Sequence, residues 1–251
     1  MELSWNEYLM ELITEFIVIS ALVVFQSVFG VGLLLFGTPV FLLIGHDFVS
    51  TLSLLLPVSI FISFIQLIHK KKLNKIFVKE YNIYCLPFLV LCLVITINLE
   101  YIIDIRTPVS IFLIISCIAT LFFKKLVILK KHLHKRRKFF LVFIGCVHGS
   151  TNMGGGFLSL FSLLINNGDK ELARNFISYG YFIMGIIQYI TLLIFSLNSI
   201  EFVKLYFVFL PLLLFYPSQL IFDKISSEFF MKTINYIALI FGFFTLFVSI
   251  K

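Results

Sequence analysis

Gly30-Val-Gly32-Leu-Leu-Leu-Phe-Gly37-Thr-Pro39 and Asn152-Met-Gly154-Gly155-Gly156-Phe-Leu-Ser159-Leu-Phe161 are two glycine-marked interruptions inside apolar stretches of membrane length. Gly32 and Gly154 lie 122 residues apart, and the same shift carries Asp47 onto Asp169 and Gln66 onto Gln188. These are glycine and polar positions, where an apolar background produces no matches by itself. A Gly-interrupted hydrophobic segment recurring at equivalent places in two halves is the sequence sign of a transporter built from repeats.

Outward from these stretches, the chain reads as membrane-embedded. Of its 251 residues, 60% are hydrophobic and 13% charged, about half the charged share of a soluble domain. Between Phe16 and Ile68 the ionisable residues of note are His46 and Asp47. That run is long enough for two crossings at about 20 residues each. Apolar spans fall at 12–29, 48–68, 83–98, 108–123, 139–151, 172–196, 203–222 and 233–250, with short pieces at 33–45 and 157–165 after the glycines. The short pieces cannot cross a bilayer and read as half-helices ending inside protein, where their free backbone groups find partners. The expectation is an all-α polytopic protein of about eight transmembrane helices plus two half-helices. It would be built from a first repeat (1–123), a basic linker (124–138) and a second repeat (139–251), with the two breaks meeting near the bilayer midplane.

The net charge of +7 does not signal nucleic acid. The excess sits in two loops, His69-Lys70-Lys71-Lys72 with Lys75 and Lys79, and Lys124 to Lys138 with Lys130, Lys131, Lys135, Arg136 and Arg137. Basic loops between apolar spans mark the cytoplasmic face and favour anionic lipid heads. Asn98 to Arg106, with Glu100 and Asp104, should then lie outside. The acidic N-terminal turns (Glu2, Glu7, Glu11, Glu15) argue against a cleavable signal and for an external N-terminus. That placement needs an odd number of crossings before Lys70 and gives inverted repeats; an even number gives parallel ones. Cys85, Cys92, Cys117 and Cys146 show no metal-ligand spacing and read as packing residues. His132 and His134, flanked by cations, read as solvated loop residues rather than metal ligands.

Gly154-Gly155-Gly156 is the densest glycine cluster in the chain. At the start of a half-helix, free N–H groups and the positive dipole end form an anion site, and glycine lets a ligand approach the backbone. The alternative is close helix packing through small residues. Gly-x-Gly with Pro39 nine residues after Gly30, repeated as a Gly-rich break, resembles the TauE/SafE family of sulfite exporters. Gly149-Ser150, the Asp169–Ala173–Ser178 segment and the Asp223–Met231 stretch extend the resemblance over nearly the whole chain. Phe161 stands where the family's second repeat usually carries Pro, and Leu33-Leu34 replace glycines in the first. The resemblance implies a cell-membrane exporter, bacterial inner or plasma membrane, of sulfite or organosulfur anions. It would need no cofactor, and a homodimer is compatible with it.

Polar residues near the breaks complete the expected pathway. Gln26 and His148 stand four residues before Gly30 and Asn152, with Ser27 and Thr151 close by, and Gln66 pairs with Gln188. Such groups are costly at lipid depth unless paired, and neutral donors suit an oxyanion. Interhelical hydrogen bonding by the glutamines and a satisfied core histidine are the alternatives. The candidate substrate residues are thus Gln26, Gly30, Gly32, Pro39, Gln66, His148, Asn152, Gly154, Gly155, Gly156 and Gln188. Arg174 reads as a helix-entrance residue within reach of the second break. An anion carrier is the leading function class. An intramembrane enzyme would have to use His148 with Ser150, and a maturation factor for other membrane proteins is the third class.

Overall fold

The computed structural model describes residues 5–68, 73–121, 127–166, 169–224, 236, 239–240 and 242–249. The loop at His69–Lys72, residue Lys124, the side chains of Lys130, Lys131, His132 and His134, and most of 223–241 lie outside the described residues or side chains. Among the described residues there is helix and no strand: α1 (Trp5–Phe29), α2 (Leu33–Leu43), α3 (Phe48–Ile68), α4 (Lys75–Tyr84), α5 (Leu86–Leu99), α6 (Arg106–Leu121), α7 (Val127–Thr151), α8 (Gly154–Ile165), α9 (Lys170–Phe195) and α10 (Leu210–Lys224). A 3₁₀ segment, Phe202–Phe209, leads into α10. Five stretches are long and apolar enough to cross a membrane, at Glu7–Phe29, Phe48–Ile68, Lys75–Leu99, Glu171–Phe195 and Phe202–Ile221. Leu33–Leu43, Arg106–Ile118 and Gly154–Ile165 are shorter apolar helices.

Local chemistry explains the boundaries. Asp169 caps α9, accepting from the N–H groups of Glu171 and Leu172 at 2.9 and 3.0 Å. Asp47 does the same for α3, accepting from Ser50 at 2.6 Å. Both aspartates therefore serve as N-caps, the role that fits their place just before an apolar run. Asn74 caps α4 through Ile76, and a proline occupies the first turn of α5, where its missing N–H costs nothing. The span expected at 83–98 is thus one crossing bent at Cys85, and the basic linker is already helical from Val127, with a kink at Arg136 (φ −113°).

The ends sort into two layers. His46, after α2, lies 3.5 Å from Glu15 on α1, so the α1–α2 hairpin returns to the end from which it started. The start of α3 is at that end too, where Glu100 accepts from the N–H groups of Phe48 and Val49. Lys204 joins it by salt bridges to Glu15 at 2.6 Å and Glu201 at 2.8 Å. At the opposite end Arg137 of α7 pairs with Glu80 of α4 at 2.7 Å. Helices α3 and α9 form the centre and pack on each other more extensively than any other pair. Around them α1 packs on α10, and α5 on α7.

Candidate functional site

Each hairpin turns through one left-handed residue: Gly30 at φ 74° and Asn152 at φ 63°. Both close the preceding helix with the same bond, Gly30 N–H to the Gln26 carbonyl (2.7 Å) and Asn152 N–H to the His148 carbonyl (2.8 Å). Glycine takes this conformation freely, and asparagine is among the few other residues that adopt it readily. Gly32 follows at φ 146° with Phe25 against it, so any side chain there meets both strain and a ring.

At the first break the sequence candidates are engaged within the protein. Gln26 is fully buried; its Oε1 accepts from Leu33 N–H at 3.1 Å and so caps α2 across the break. Its Nε2 donates to Ser63 Oγ at 3.2 Å. Gln66 donates to the Gln26 carbonyl at 2.9 Å and accepts from Ser178 Oγ at 2.8 Å. The interhelical reading of Gln66 therefore holds as geometry. Pro39 lies inside α2 and is buried.

Arg174 is the largest departure. It stands at the entrance of α9, five residues after the Asp169 cap, but instead of reaching the surface or the second break it is 1% exposed and lies on the first. Its NH2 donates to the Ser27 carbonyl at 2.6 Å and to Gln219 Oε1 at 3.0 Å. A Cβ at Gly30 would stand 2.8 Å from Arg174 Cγ. The absent side chain at residue 30 is what admits the guanidinium stem, and a full positive charge sits at the turn.

The second break gathers Asn152, His148, Gln188 and Tyr181. Asn152 Nδ2 donates to Thr38 Oγ1 at 2.8 Å, and Gln188 Nε2 approaches Asn152 Oδ1 at 3.5 Å. The His148 and Tyr181 rings stand edge to face, 6.0 Å apart. The Gln188 amide lies beside the imidazole. Yet both His148 nitrogens, the Tyr181 hydroxyl and Gln188 Oε1 lack a hydrogen-bond partner of normal geometry. All three side chains are fully buried.

The triple glycine serves close approach. A Cβ at Gly155 would fall inside the Tyr181 hydroxyl; one at Gly154 would stand 2.5 Å from His148 Cβ, and one at Gly156 2.6 Å from Ser116 Oγ. Ser150 donates to carbonyls of its own helix, Cys146 at 2.8 Å and Val147 at 3.3 Å. No hydrogen bond joins it to His148 as a nucleophile to a base.

The breaks are staggered rather than face to face. The first contacts α9 at Arg174 and, through Gln66, at Ser178; the second contacts it at Gln188. Ten residues of helix between Ser178 and Gln188 span about 15 Å. Each hairpin passes the other, so that Asn152 meets the middle of α2.

The end bearing Glu15 opens into two cavities. One of about 530 Å³ is lined by Met10, Glu11, His46, Asp47, Ser50 and Glu201 among others. Another of about 390 Å³ is lined by His46, Asp47 and the stretch from Glu100 to Arg106. Burial, aided by Lys204, pushes His46 below the usual imidazole range. Burial likewise lifts the Glu100 carboxyl, against the Phe48 and Val49 N–H groups that favour its charge. Glu15, Glu11 and His46 place possible ligand atoms within 4.8 Å of one another, but the Lys204 ammonium already occupies the Glu15–Glu11 side of that group.

The residue reading missed Tyr181, Thr38, Ser63 and the Glu15–Lys204 pair. One signal was available: the 122-residue shift places Tyr181 on Ser59, another buried hydroxyl without a partner. Comparison with protein families, characterised proteins and solved structures found no match to this chain.

Proposed function

We propose that the protein is a membrane carrier for small anions, built from two inverted repeats. The observation that carries this reading is the pair of broken helices, with left-handed residues at Gly30 and Asn152, both walled by buried polar side chains. Irregular backbone at membrane depth is tolerated where it lines a polar path, and broken helices are where transporters place substrate. The element bounds support the repeat. Shifted by 122 residues, the end of α1 at Phe29 falls on Thr151, the end of α7, and the start of α3 at Phe48 falls on Lys170, the start of α9. The pairings exchange accordingly, α1 on α10 answering α7 on α5. Because α1 starts at the Glu15 end and α7 at the Arg137 end, the second repeat runs inverted. The positive-inside rule places Arg137 in the cytoplasm. An impermeant thiol reagent should label Tyr101→Cys from outside intact cells and Lys135→Cys only after permeabilisation; the reverse pattern would flip the orientation.

The choice of an anion rests on the groups at the breaks: amides, hydroxyls, an imidazole and the Arg174 guanidinium. Export needs no coupling ion on energetic grounds. One negative charge leaving a negative-inside cell gains about 2.3 kcal/mol per 100 mV, or about fifty-fold accumulation outside. Sulfite or an organosulfonate is the specific substrate class, by resemblance to the TauE/SafE pattern. Purified protein in proteoliposomes should pass sulfite down an imposed potential, and Arg174→Gln should slow it at least about tenfold. Folded protein passing no anion above protein-free liposomes would end the carrier reading and return the maturation-factor and intramembrane-enzyme classes to the front.

A further inference from the structure

The second break holds the densest set of unpartnered buried polar atoms among the described side chains, and their chemistry is mixed. Neutral His148 offers one donor and one acceptor, the Tyr181 hydroxyl offers both, and Gln188 Oε1 only accepts. All are fully buried and lack a hydrogen-bond partner of normal geometry, the one near approach being that of the Gln188 amide to the imidazole. The amide of Gln188 is oriented by its neighbours. Asn152 directs Nδ2 to Thr38 Oγ1 and presents Oδ1 to Gln188 Nε2, so the Gln188 oxygen faces away from Asn152.

We propose that this cluster binds an oxyanion that itself carries a hydrogen-bond donor, either a monoprotonated oxyanion or a hydroxylated sulfonate. The inference rests on the anion-carrier reading and narrows its substrate class. A fully deprotonated anion presents acceptors alone. It could take the Tyr181 and imidazole protons, but it would set lone pairs against Gln188 Oε1 and the bare imidazole nitrogen. Leaving a buried acceptor unmet is where hydrogen-bonding sites discriminate most steeply. A ligand with one O–H or N–H answers both kinds of atom. The Gly154-Gly155-Gly156 backbone packs directly on His148 and Tyr181, which brings the start of α8, with its positive dipole end, next to the cluster.

The test is a matched pair: isethionate and ethanesulfonate have the same charge and differ only by a hydroxyl group. Binding to the purified full-length protein is read by the shift of its melting temperature against ligand concentration. Isethionate should bind at least about tenfold more tightly, the worth of one buried hydrogen bond near a charge. Gln188→Met, which keeps the volume but removes the acceptor, should bring the ratio close to one. If that variant does not fold, Tyr181→Phe should lower the ratio in the same direction. Equal affinity for the pair in the unaltered protein would overturn the inference while leaving the carrier reading intact. Absence of binding by both, together with absence of sulfite flux, would overturn the carrier reading itself.

Discussion

Asn152 donates its side-chain amide to Thr38 across 114 positions of sequence, at 2.8 Å and in full burial. One polar bond thereby ties the turn of the second hairpin to the middle of the first half-helix. The partner is not the first break, which lies lower along α9 against Arg174. Two overlapping hairpins joined this way cannot slide past one another without breaking a buried polar contact, so the bond is a natural point of resistance to motion.

Removing that bond should destabilise modestly and non-additively. Interhelical hydrogen bonds in membranes are worth about 0.6 kcal/mol on average and up to about 1.7. Thr38→Val should lower stability within that range; Asn152→Ala, which also loses the Gln188 contact and the residue type suited to the left-handed turn, should cost more, and the double variant should be little worse than Asn152→Ala alone. A double-mutant cycle with strictly additive losses would show that the contact carries no coupling energy.

At Gly155 the structure leaves no room for a side chain. Tyr181 occupies the space a side chain would need, so Gly155→Ala should be an overpacking substitution costing about 1–3 kcal/mol. Tyr181→Phe removes the colliding oxygen and should recover part of the loss. Melting of the single and paired variants decides this, and an unaffected Gly155→Ala would mean that Tyr181 moves aside freely.

These outcomes show which features were legible in the chain. Clustered glycines in an apolar run, Gly30 with Gly32 and Gly154 to Gly156, mark a break where single ones such as Gly180 and Gly185 stay inside a helix, so both interruptions and the half-helices α2 and α8 could be placed. Asp47 and Asp169 were recognisable as loop residues for the same local reason. What a side chain meets across the bundle is not local. Arg174 has the nonpolar Leu52 as its counterpart 122 residues earlier, so the repeat gave no hint that it folds onto Gly30. Gln26 looked available for a substrate because its partner, Leu33 N–H, becomes exposed only once the helix breaks. Glu15 read as one more acid of the N-terminal turns, since nothing near it in sequence shows that Lys204 will come to lie beside it.

Two groups at the cavity end should give opposite pH slopes. Glu100 is raised above its ordinary 4.5, so its contribution to stability is full below that value and is lost as pH rises through the folded value. His46 is lowered from 6.5; stability is therefore full above 6.5 and falls as pH drops toward the folded value. Glu100→Gln keeps an oxygen for the Phe48 and Val49 N–H groups without the charge, and should melt at or above the native temperature at neutral pH. Glu100→Ala loses the cap and should cost about 1 kcal/mol. A lower melting temperature for Glu100→Gln at neutral pH would mean that the carboxylate charge is itself stabilising.

The ion pairs at the two ends should differ sharply in worth, although they occupy matching places. Shifted by 122 residues, Glu15 becomes Arg137, so positions 122 residues apart carry opposite charges, each in a salt bridge at its own end of the bundle. Their surroundings are unequal. The Glu15 side chain is 0% exposed and Lys204 10%, whereas Arg137 is 29% exposed and Glu80 14%. Glu15 Oε2 and Glu80 Oε2 both lack a partner, so the contrast lies in how deeply the side chains are buried. Lys204→Met would strand a fully buried carboxylate, a change that costs about 3–5 kcal/mol when a buried pair is broken from one side. Arg137→Met leaves Glu80 partly hydrated and should cost about 1 kcal/mol. Adding Glu15→Gln to Lys204→Met removes the stranded charge and should recover most of the loss, because the remaining acids, Glu11 and Glu201, are more exposed. Melting temperatures of the four proteins test the argument together. Equal losses for Lys204→Met and Arg137→Met, or no recovery in the double variant, would show that burial of Glu15 does not set the strength of this contact.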